Sequence, residues 1–227
     1  MSDRPNILFI FTDQQTLGAM SAYGNPHLRT PHMDSIAATG VRFEKSYCAS
    51  PVCGPSRSSL VTGRMPHETG VDVNGESIDS AIPNIGQLLS GAGYRTAWAG
   101  KWHLPESYPS VGLGSVPGFE VLQAAQTSGR GSDTDAGVAD HAVSFLQRQH
   151  DRPFLLGVSL HNPHDICGWI GRHRDPGSID VDALPPLPDN FAIDPEEPEF
   201  IRACRRRPHY GSEGLNTLDW NEDQWRF

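Results

Sequence analysis

Three apolar runs of the chain each end in a group of polar residues. The run at residues 6–11 reads Asn-Ile-Leu-Phe-Ile-Phe, and similar strand-forming runs occur at residues 94–99 and 153–160. Continuous apolar runs of this length are typical of strands that are buried on both faces in a parallel sheet. We therefore predict three such strands.

A helix and a further strand are predicted between the first and second of these runs. Thr30 and Pro31 have the residue types of an N-cap and a first helical position, and Gly40 marks the end of the helix. Residues 41–47 then alternate well enough between apolar and polar types to favour a strand.

Two further helical patterns complete the alternation of strands and helices. They lie at residues 83–90 and 135–149. We expect the first of these helices to bury one face, formed by Ile85, Leu88 and Leu89. The order strand–helix–strand–helix–strand predicts an α/β fold with a doubly wound, mainly parallel sheet and helices on both of its faces.

The remaining segments do not show such periodicity. Residues 105–131 are rich in glycine and predict a loop, and residues 168–216 form an excursion that is rich in proline and charge. Residues 217–227 have the pattern of the first turns of a helix, so we expect the fold to be incomplete at its C-terminus. We assign residues 1–227 to one domain with its core at residues 1–167.

The composition is that of an ordinary globular protein, and the charge excludes some classes of partner. The chain has 227 residues, of which 37% are hydrophobic and 20% charged, which is enough to bury a core. Its formal net charge of −9 argues against binding to nucleic acid or to an anionic membrane. No run is long enough to span a membrane and no signal peptide is recognised, so we expect a cytoplasmic protein. The oligomeric state is left open.

The stretch at residues 48–64 has the features of an anion-binding site. Cys53 lies just ahead of a predicted helix that has Pro55 in its first turn and ends at Gly63. Free backbone N–H groups and the helix dipole make the potential there positive, and Arg57 adds a fixed charge one turn further on. We expect a thiol at this position, or a group made from it, to be electrostatically activated.

Four groups of polar residues lie at predicted strand or helix ends. They are Asp13 with Gln14, Cys53 with Arg57, Lys101 with His103, and His164. Each has an ordinary structural explanation when it is taken singly, such as a helix cap or a small buried residue. Because the carboxyl ends of parallel strands meet at one sheet edge, the four groups can converge. Together they would form a cationic pocket for a tetrahedral oxyanion beside oxygen ligands for calcium or magnesium.

The stretch around Cys53 resembles the signature of the type I sulfatases, a family within the alkaline phosphatase superfamily. It reads Ser-Pro-Val-Cys-Gly-Pro-Ser-Arg at residues 50–57 and Ser-Leu-Val-Thr-Gly-Arg at residues 59–64. Further segments agree in order along the chain, at residues 5–14, 30–31, 93–103 and 159–165. The resemblance implies that the chain is the N-terminal part of a single sulfatase catalytic domain.

The resemblance also implies how the reaction would proceed. Cys53 matches the cysteine that a maturation enzyme converts to formylglycine, whose hydrated aldehyde has two hydroxyl groups. One hydroxyl attacks sulfur, and the second then expels sulfate and regenerates the aldehyde, which a serine could not do. Arg57 matches the residue that holds the formylglycine oxygen, and His103 matches a histidine that acts as the base in the elimination step.

The other matching residues concern sulfate and a metal ion. Lys101 and His164 match sulfate-binding groups, and His164 is also a candidate proton donor to the leaving alcohol. Asp13, Gln14 and Cys53, after its conversion, match the ligands of a divalent metal, usually Ca²⁺, with Mg²⁺ as the alternative. Many relatives have a second aspartate where this chain has Gln14, so one negative charge is missing. We interpret His161 as a loop residue or a substrate contact. We interpret Cys48 and Cys167 as structural cysteines.

The implied function is hydrolysis of an organic sulfate ester, most simply a carbohydrate sulfate. The implied partners are a sulfated small molecule or saccharide and the formylglycine-generating enzyme. Family members are considerably longer and have later metal ligands, so the implied metal shell is only partial in this chain. Two alternatives stay open: a phosphonate or phosphodiester hydrolase of the same superfamily, and a truncated relative without catalytic activity.

Overall fold

The computed structural model describes most of the N-terminal two thirds of the chain and shorter segments beyond it. The described residues are 4–104, 116–122, 130–167, 180, 182, 184–189, 191–205 and 221–226. Much of the predicted glycine-rich loop, and most of the excursion predicted at residues 168–216, lies outside these ranges.

The strands of the described ranges form one parallel sheet. They are β1 (Ile7–Asp13), β2 (Arg95–Gly100), β3 (Glu120–Val121) and β4 (Phe154–Pro163). Their spatial order is β1-β4-β2-β3, and each neighbouring pair is parallel. This confirms the predicted parallel sheet and places β4 between β1 and β2.

Seven helices lie in the described ranges, of which the second, fourth and fifth pack on the sheet. The seven are α1 (Pro31–Thr39), α2 (Cys53–Thr62), α3 (Pro66–Thr69), α4 (Ile85–Gly91), α5 (Gly131–Leu146), α6 (Glu199–Arg205) and α7 (Glu222–Arg226). Short 3₁₀ turns lie at Leu17–Ala19 and Ser21–Tyr23. None of the helices in the described ranges has the length and apolar character that a membrane crossing requires.

Two apolar cores lie on opposite faces of the sheet, because successive strand residues point to opposite sides. On one face, Leu155 of β4 packs with Trp98 of β2 and Val61 of α2. On the other face, Leu156 of β4 packs against Phe145 of α5. The arrangement confirms the prediction of a doubly wound sheet with helices on both faces.

The first predicted strand is present, but the expectation that it is buried on both faces is wrong. Leu8, Phe9 and Ile10 of β1 are 46%, 37% and 52% exposed. β1 is one of the two edge strands among the described strands, with β4 as its neighbour on one side. Its apolar side chains are therefore covered incompletely.

The strand predicted at residues 41–47 does not form. This segment has no regular secondary structure, and Val41, Phe43 and Tyr47 are 80%, 69% and 86% exposed. An alternating segment becomes a strand only when a neighbouring strand pairs with its backbone and its apolar face is covered. The sheet in the described part of the chain gives this segment neither.

The helix predicted at residues 83–90 forms as α4, but it buries only part of the predicted face. Leu89 packs against the core as predicted, whereas Ile85 and Leu88 are 40% and 57% exposed and Gly86 is buried instead. A Cβ atom on Gly86 would lie 2.2 Å from a ring carbon of Phe119. The absence of a side chain therefore sets which face of α4 approaches the sheet, and the apolar periodicity does not report this.

Several predicted boundaries shift by a few residues. α2 begins at Cys53 itself and ends, as predicted, at a left-handed Gly63. α5 begins at Gly131, earlier than predicted, and β4 continues to Pro163, so His161 is a strand residue and not a loop residue. Thr30 precedes α1, but its hydroxyl bonds Asp34 and does not cap the helix backbone.

Candidate functional site

The predicted polar residues converge at the carboxyl ends of the strands. Asp13 is the last residue of β1, Lys101 follows β2, and His164 follows β4. The first turns of α2 bring Cys53 and Arg57 to the same edge, where both contact Asp13. Residues that are up to 151 positions apart in sequence (13 and 164) thus share one site, because parallel strands end on one side of the sheet.

Asp13 is the centre of a buried group of charges. Its Oδ2 atom lies 2.5 Å from Nζ of Lys101 and 3.0 Å from Nη2 of Arg57, and these three side chains are 6–7% exposed. Burial raises the pKa of Asp13, but the two cations outweigh this effect and lower it to about 2. One carboxylate and two cations leave a net positive charge, which suits an anionic ligand.

Arg57 connects the ends of three strands. Besides bonding Asp13 of β1, it donates from Nη1 to the backbone oxygen of Lys101 at 2.7 Å and to Oγ of Ser159 in β4 at 3.0 Å. Its guanidinium group also lies 5.3 Å from the ring centre of Phe11. A guanidinium with this many fixed partners is held in one orientation, so Arg57 is a rigid part of the site.

The Cys53 thiol is less acidic than the sequence led us to expect. Burial raises its pKa above the ordinary value, and the nearby Asp13 carboxylate adds to this rise, although Lys101 and Arg57 oppose it. Its Sγ atom lies 3.6 Å from Oδ1 of Asp13 and 3.9 Å from Nζ of Lys101. The predicted activation of the thiol is therefore wrong, because burial and the Asp13 carboxylate together outweigh the two cations.

Two histidines face this group of charges. Burial, together with the charges of Lys101 and Arg57, lowers the pKa of His103 to about 4, so the imidazole is neutral at pH 7. A ring nitrogen of His164 lies within 4.8 Å of the ligand atoms of Asp13 and Cys53. The ring of His164 also packs edge to face on His161, with 5.1 Å between centres.

Gln14 follows β1 directly and turns away from the strand direction. Its side-chain oxygen accepts a hydrogen bond from the Cys167 thiol at 3.5 Å. Gln14 and His103 are the non-glycine residues with positive φ in the described part of the chain, at 65° and 60°. Backbone strain of this kind is concentrated at functional sites, which agrees with the position of both residues in the predicted site.

The available donor atoms are of the type that a hard cation prefers, but they are too few to fill its coordination shell. Oδ1 of Asp13 and the amide oxygen of Gln14 are hard oxygen donors, whereas Oδ2 of Asp13 is already bonded to Lys101 and Arg57. A Cys53 thiol is a poor calcium ligand, but an oxygen group in its place would be a suitable one. Calcium takes six to eight oxygens, so these residues account for about half of a shell.

Sequence reasoning gave no role to several residues that build the site. Ser159 binds Arg57, Asn74 accepts the backbone N–H of Gly54 at 2.7 Å, and Phe11 supports the Arg57 guanidinium. Ser159 had a signal, because it is a hydroxyl residue inside a buried apolar strand. Asn74 lies in a polar segment with no pattern that would distinguish it.

We expect acid to destabilise the fold in two stages, through His103 and then Asp13. The pKa of His103 is lowered from 6.5 to about 4, so the unfolded chain takes up its proton first and stability falls as the pH drops through that range. The Asp13 contribution, about 2 kcal/mol, is complete above its unfolded pKa of 3.8 and is lost as the pH falls to about 2. Urea unfolding at pH 7, 5, 4, 3 and 2 measures both stages.

The control for this prediction is His103→Gln, which cannot be protonated. Its stability should change less than that of the wild type between pH 6.5 and 4, where the wild-type histidine takes up its proton on unfolding. Equal slopes for the two proteins in this range would contradict the assignment of the first stage to His103.

The sequence matches one protein family over most of its length. The family described as Sulfatase matches residues 5–192, which include every residue of the site described above. The matched range also extends into the excursion that was predicted beyond the core.

Individual relatives agree with this match. A Delta 4,5-hexuronate-2-O-sulfatase of Bacteroides thetaiotaomicron is 30% identical, and the alignment covers 99% of this chain and 48% of the relative. An N-acetylglucosamine-6-O-sulfatase of the same organism is 32% identical, with 96% and 40% covered. The chain thus spans about half the length of the curated relatives it matches, or less.

The fold of a solved structure agrees as well. The crystal structure of a sulfatase from Bacteroides thetaiotaomicron superposes with a TM-score of 0.77 at 30% sequence identity. The superposition covers 99% of this chain and 50% of that chain. The parallel sheet and the helices described above are therefore those of that protein's corresponding half.

Proposed function

Because the chain belongs to the sulfatase family, we propose that its site hydrolyses an organic sulfate ester, with a carbohydrate sulfate as the substrate. The observation that carries this proposal is the buried group of Asp13, Arg57 and Lys101 beside Cys53, which has a net positive charge. A sulfate group is a compact anion with several acceptor oxygens, and such a pocket suits it. Relatives that act on hexuronate and N-acetylglucosamine sulfates support a saccharide as the organic part.

We propose that Cys53 is the residue that maturation converts to formylglycine. Formylglycine would supply the oxygen nucleophile that an unmodified cysteine lacks. The raised pKa of the Cys53 thiol agrees with a residue that does not itself act as a thiolate nucleophile. Its place at the start of α2 puts the modified group at a helix N-terminus, where a developing negative charge is stabilised.

The surrounding residues would bind the sulfate and move protons. Of the three N–H donors of Lys101, one meets Asp13 and one faces Sγ of Cys53, and the third would bind a sulfate oxygen. His103 is neutral at pH 7 and would accept a proton from the hydroxyl of the modified residue. His164 would donate a proton to the leaving alcohol, and Arg57 would hold the nucleophilic group in position.

A divalent metal, calcium or magnesium, would be held by Asp13, Gln14 and the modified Cys53. It would supply positive charge for the bound sulfate and the nucleophilic oxygen. The oxygen donors of Asp13 and Gln14 support a hard cation and argue against zinc or copper. Ligands from elsewhere in a longer polypeptide would complete the shell.

Conversion of Cys53 is tested by mass spectrometry of the intact chain and of its peptides. After co-expression with a formylglycine-generating enzyme, we expect the peptide with Cys53 to lose the thiol and gain an aldehyde. Cys48 and Cys167 serve as internal controls and should stay unmodified. An unmodified Cys53, or conversion of another cysteine, would refute the assignment of the modified residue.

The reaction is tested by comparing substrates on the matured protein. We expect hydrolysis of a sulfate monoester such as a sulfated hexosamine, and much slower hydrolysis of a phosphonate monoester or phosphodiester. A clear preference for the phosphorus esters would favour the phosphonate hydrolase alternative. No turnover of either class by fully converted protein would favour a non-catalytic role for this polypeptide.

A further inference from the structure

The end of β4 is held by a carboxylate from α5. Oδ1 of Asp135 accepts the backbone N–H of His161 at 2.7 Å, and Oδ2 accepts the N–H of Asn162 at 2.9 Å. These two N–H groups belong to the part of β4 that leads to His164. Asp135 lies in the second turn of α5, so its bonds tie the helix to the strand end from which the candidate proton donor follows.

A second carboxylate makes the reciprocal connection. Asp165, next to His164, accepts the backbone N–H of Gly131 at 2.9 Å and of Ser132 at 2.8 Å. These are free N–H groups of the first turn of α5, and a carboxylate there also interacts favourably with the helix dipole. Burial raises the pKa of Asp165, but the bonds from Ser132 and Gly131 outweigh it, so the net shift is downward.

The two connections enclose the segment that carries His164. Within it, the N–H of His164 donates to the carbonyl oxygen of His161 at 3.1 Å, which closes a turn. Gly131 packs so closely on Asn162 that a Cβ would lie 2.7 Å from its backbone nitrogen. The segment is therefore bonded to α5 both before and after His164, with close packing between.

A helix cap alone does not account for this arrangement. Asp165 on its own is an ordinary cap of α5, but it gives no reason for the bonds of Asp135 in the opposite direction. Asp135 satisfies the two strand N–H groups nearest the turn, where the backbone could otherwise adopt several paths. The pair together fixes the chain on either side of two residues, Pro163 and His164, and His164 is the one that faces Asp13 and Cys53.

We propose that Asp135 and Asp165 are positioning residues, which hold His164 over Cys53 and Asp13 by this reciprocal pair of carboxylate bridges. Neither residue contacts the reacting group in this role. The catalytic part of the proposal rests on the proposed function, because the two bridges would set the orientation of the proton donor. The structural part, the fixed position of His164, does not depend on sulfate chemistry.

The structural part is tested with Asp135→Asn and Asp165→Asn, which keep the shape but lose a charge and one acceptor. We expect amide exchange at residues 161–162 in the first variant, and at residues 131–132 in the second, to be about tenfold faster. The nuclear Overhauser effect between the rings of His161 and His164 should weaken in both. Asp133→Asn is the matched control, because Asp133 lies in the first turn of α5 outside the bridges, and it should change neither signal.

The catalytic part is tested on the matured chain with two sulfate esters. 4-Nitrophenyl sulfate has a leaving group that needs no proton, whereas a sugar sulfate has one that does. We expect either variant to lower kcat for the sugar ester about tenfold or more and to change kcat for the nitrophenyl ester less than about twofold, since one lost charged hydrogen bond is typically worth that much. KM should change little.

Several outcomes would overturn the proposal. If both variants keep the amide exchange rates and the His161–His164 ring contact of the wild type, the bridges do not position His164. Equal loss of kcat on both esters would indicate a general structural role. If the wild type hydrolyses neither ester, the proposed function fails, while the exchange and ring measurements still decide whether the two carboxylates position His164.

Discussion

Cys53→Ala is expected to abolish sulfate-ester hydrolysis and to leave the fold intact. Alanine cannot be converted to formylglycine, so the oxygen nucleophile is lost, and loss of a nucleophile typically costs on the order of 10³-fold or more in kcat. The thiol is only partly buried and its polar contacts are long, at 3.6 and 3.9 Å, so the stability should change little. Turnover of a sulfated sugar, with urea unfolding in parallel, measures both effects.

Two further variants sharpen this experiment. Cys53→Ser retains one hydroxyl and no second one, so we expect at most a single turnover with a sulfate ester left on the serine, visible as a mass gain. Cys48→Ala is the matched control, because Cys48 is an exposed cysteine five positions away and should retain full activity. Turnover by Cys53→Ala above the background rate would refute Cys53 as the source of the nucleophile.

Asp13→Ala is expected to cause the second large effect, a loss of stability. The change leaves Arg57 and Lys101 buried without their carboxylate, and both side chains are 6–7% exposed. Removal of one partner from a buried ion pair typically costs about 3–5 kcal/mol. The urea midpoint should fall accordingly at pH 7, and the difference should shrink towards pH 2, where about half of the wild-type carboxylate is itself protonated.

The control for Asp13 is an aspartate whose ion pair lies in water. Asp151 is 82% exposed and lies 3.8 Å from Arg152, so Asp151→Ala should not measurably change the urea midpoint. A double variant, Asp13→Ala with Lys101→Met, should recover part of the lost stability, because it removes one of the unpaired charges. If Asp13→Ala is as stable as Asp151→Ala, the buried charges do not depend on Asp13.

Local patterns in the sequence predicted the features that depend on one helix or strand alone. They missed the features that depend on packing between elements. β2 and β4 were predictable because both are covered on two faces, so that residues 97–99 and 154–158 are apolar or glycine. Residues 41–47 have an equally strand-like pattern, but a strand also needs a pairing edge, which sequence periodicity does not report. The orientation of α4 likewise depends on contact between Gly86 and Phe119, which are distant in the chain.

In the candidate site, too, some features could be predicted from local sequence and others depend on contacts between distant residues. Polar residues at the ends of apolar runs correctly indicated which side chains lie at the carboxyl edge, since parallel strands share a direction. The acidity of Cys53 was predicted wrongly, because it depends on burial and on a carboxylate 40 residues away in sequence. Asp135 carries no sequence signal, because an aspartate in the second turn of a helix is ordinary until its two strand partners are known.

The edge of β1 with which no described strand pairs has a geometric consequence for the residues proposed to hold a metal. A strand that paired with β1 in parallel on its free side would lie about 4.8 Å away and would end level with Asp13. Polar residues just beyond that strand would then lie on the side of Asp13 opposite His164. One added strand would thus bring further ligands to the proposed metal, without any rearrangement of the residues that are already in place.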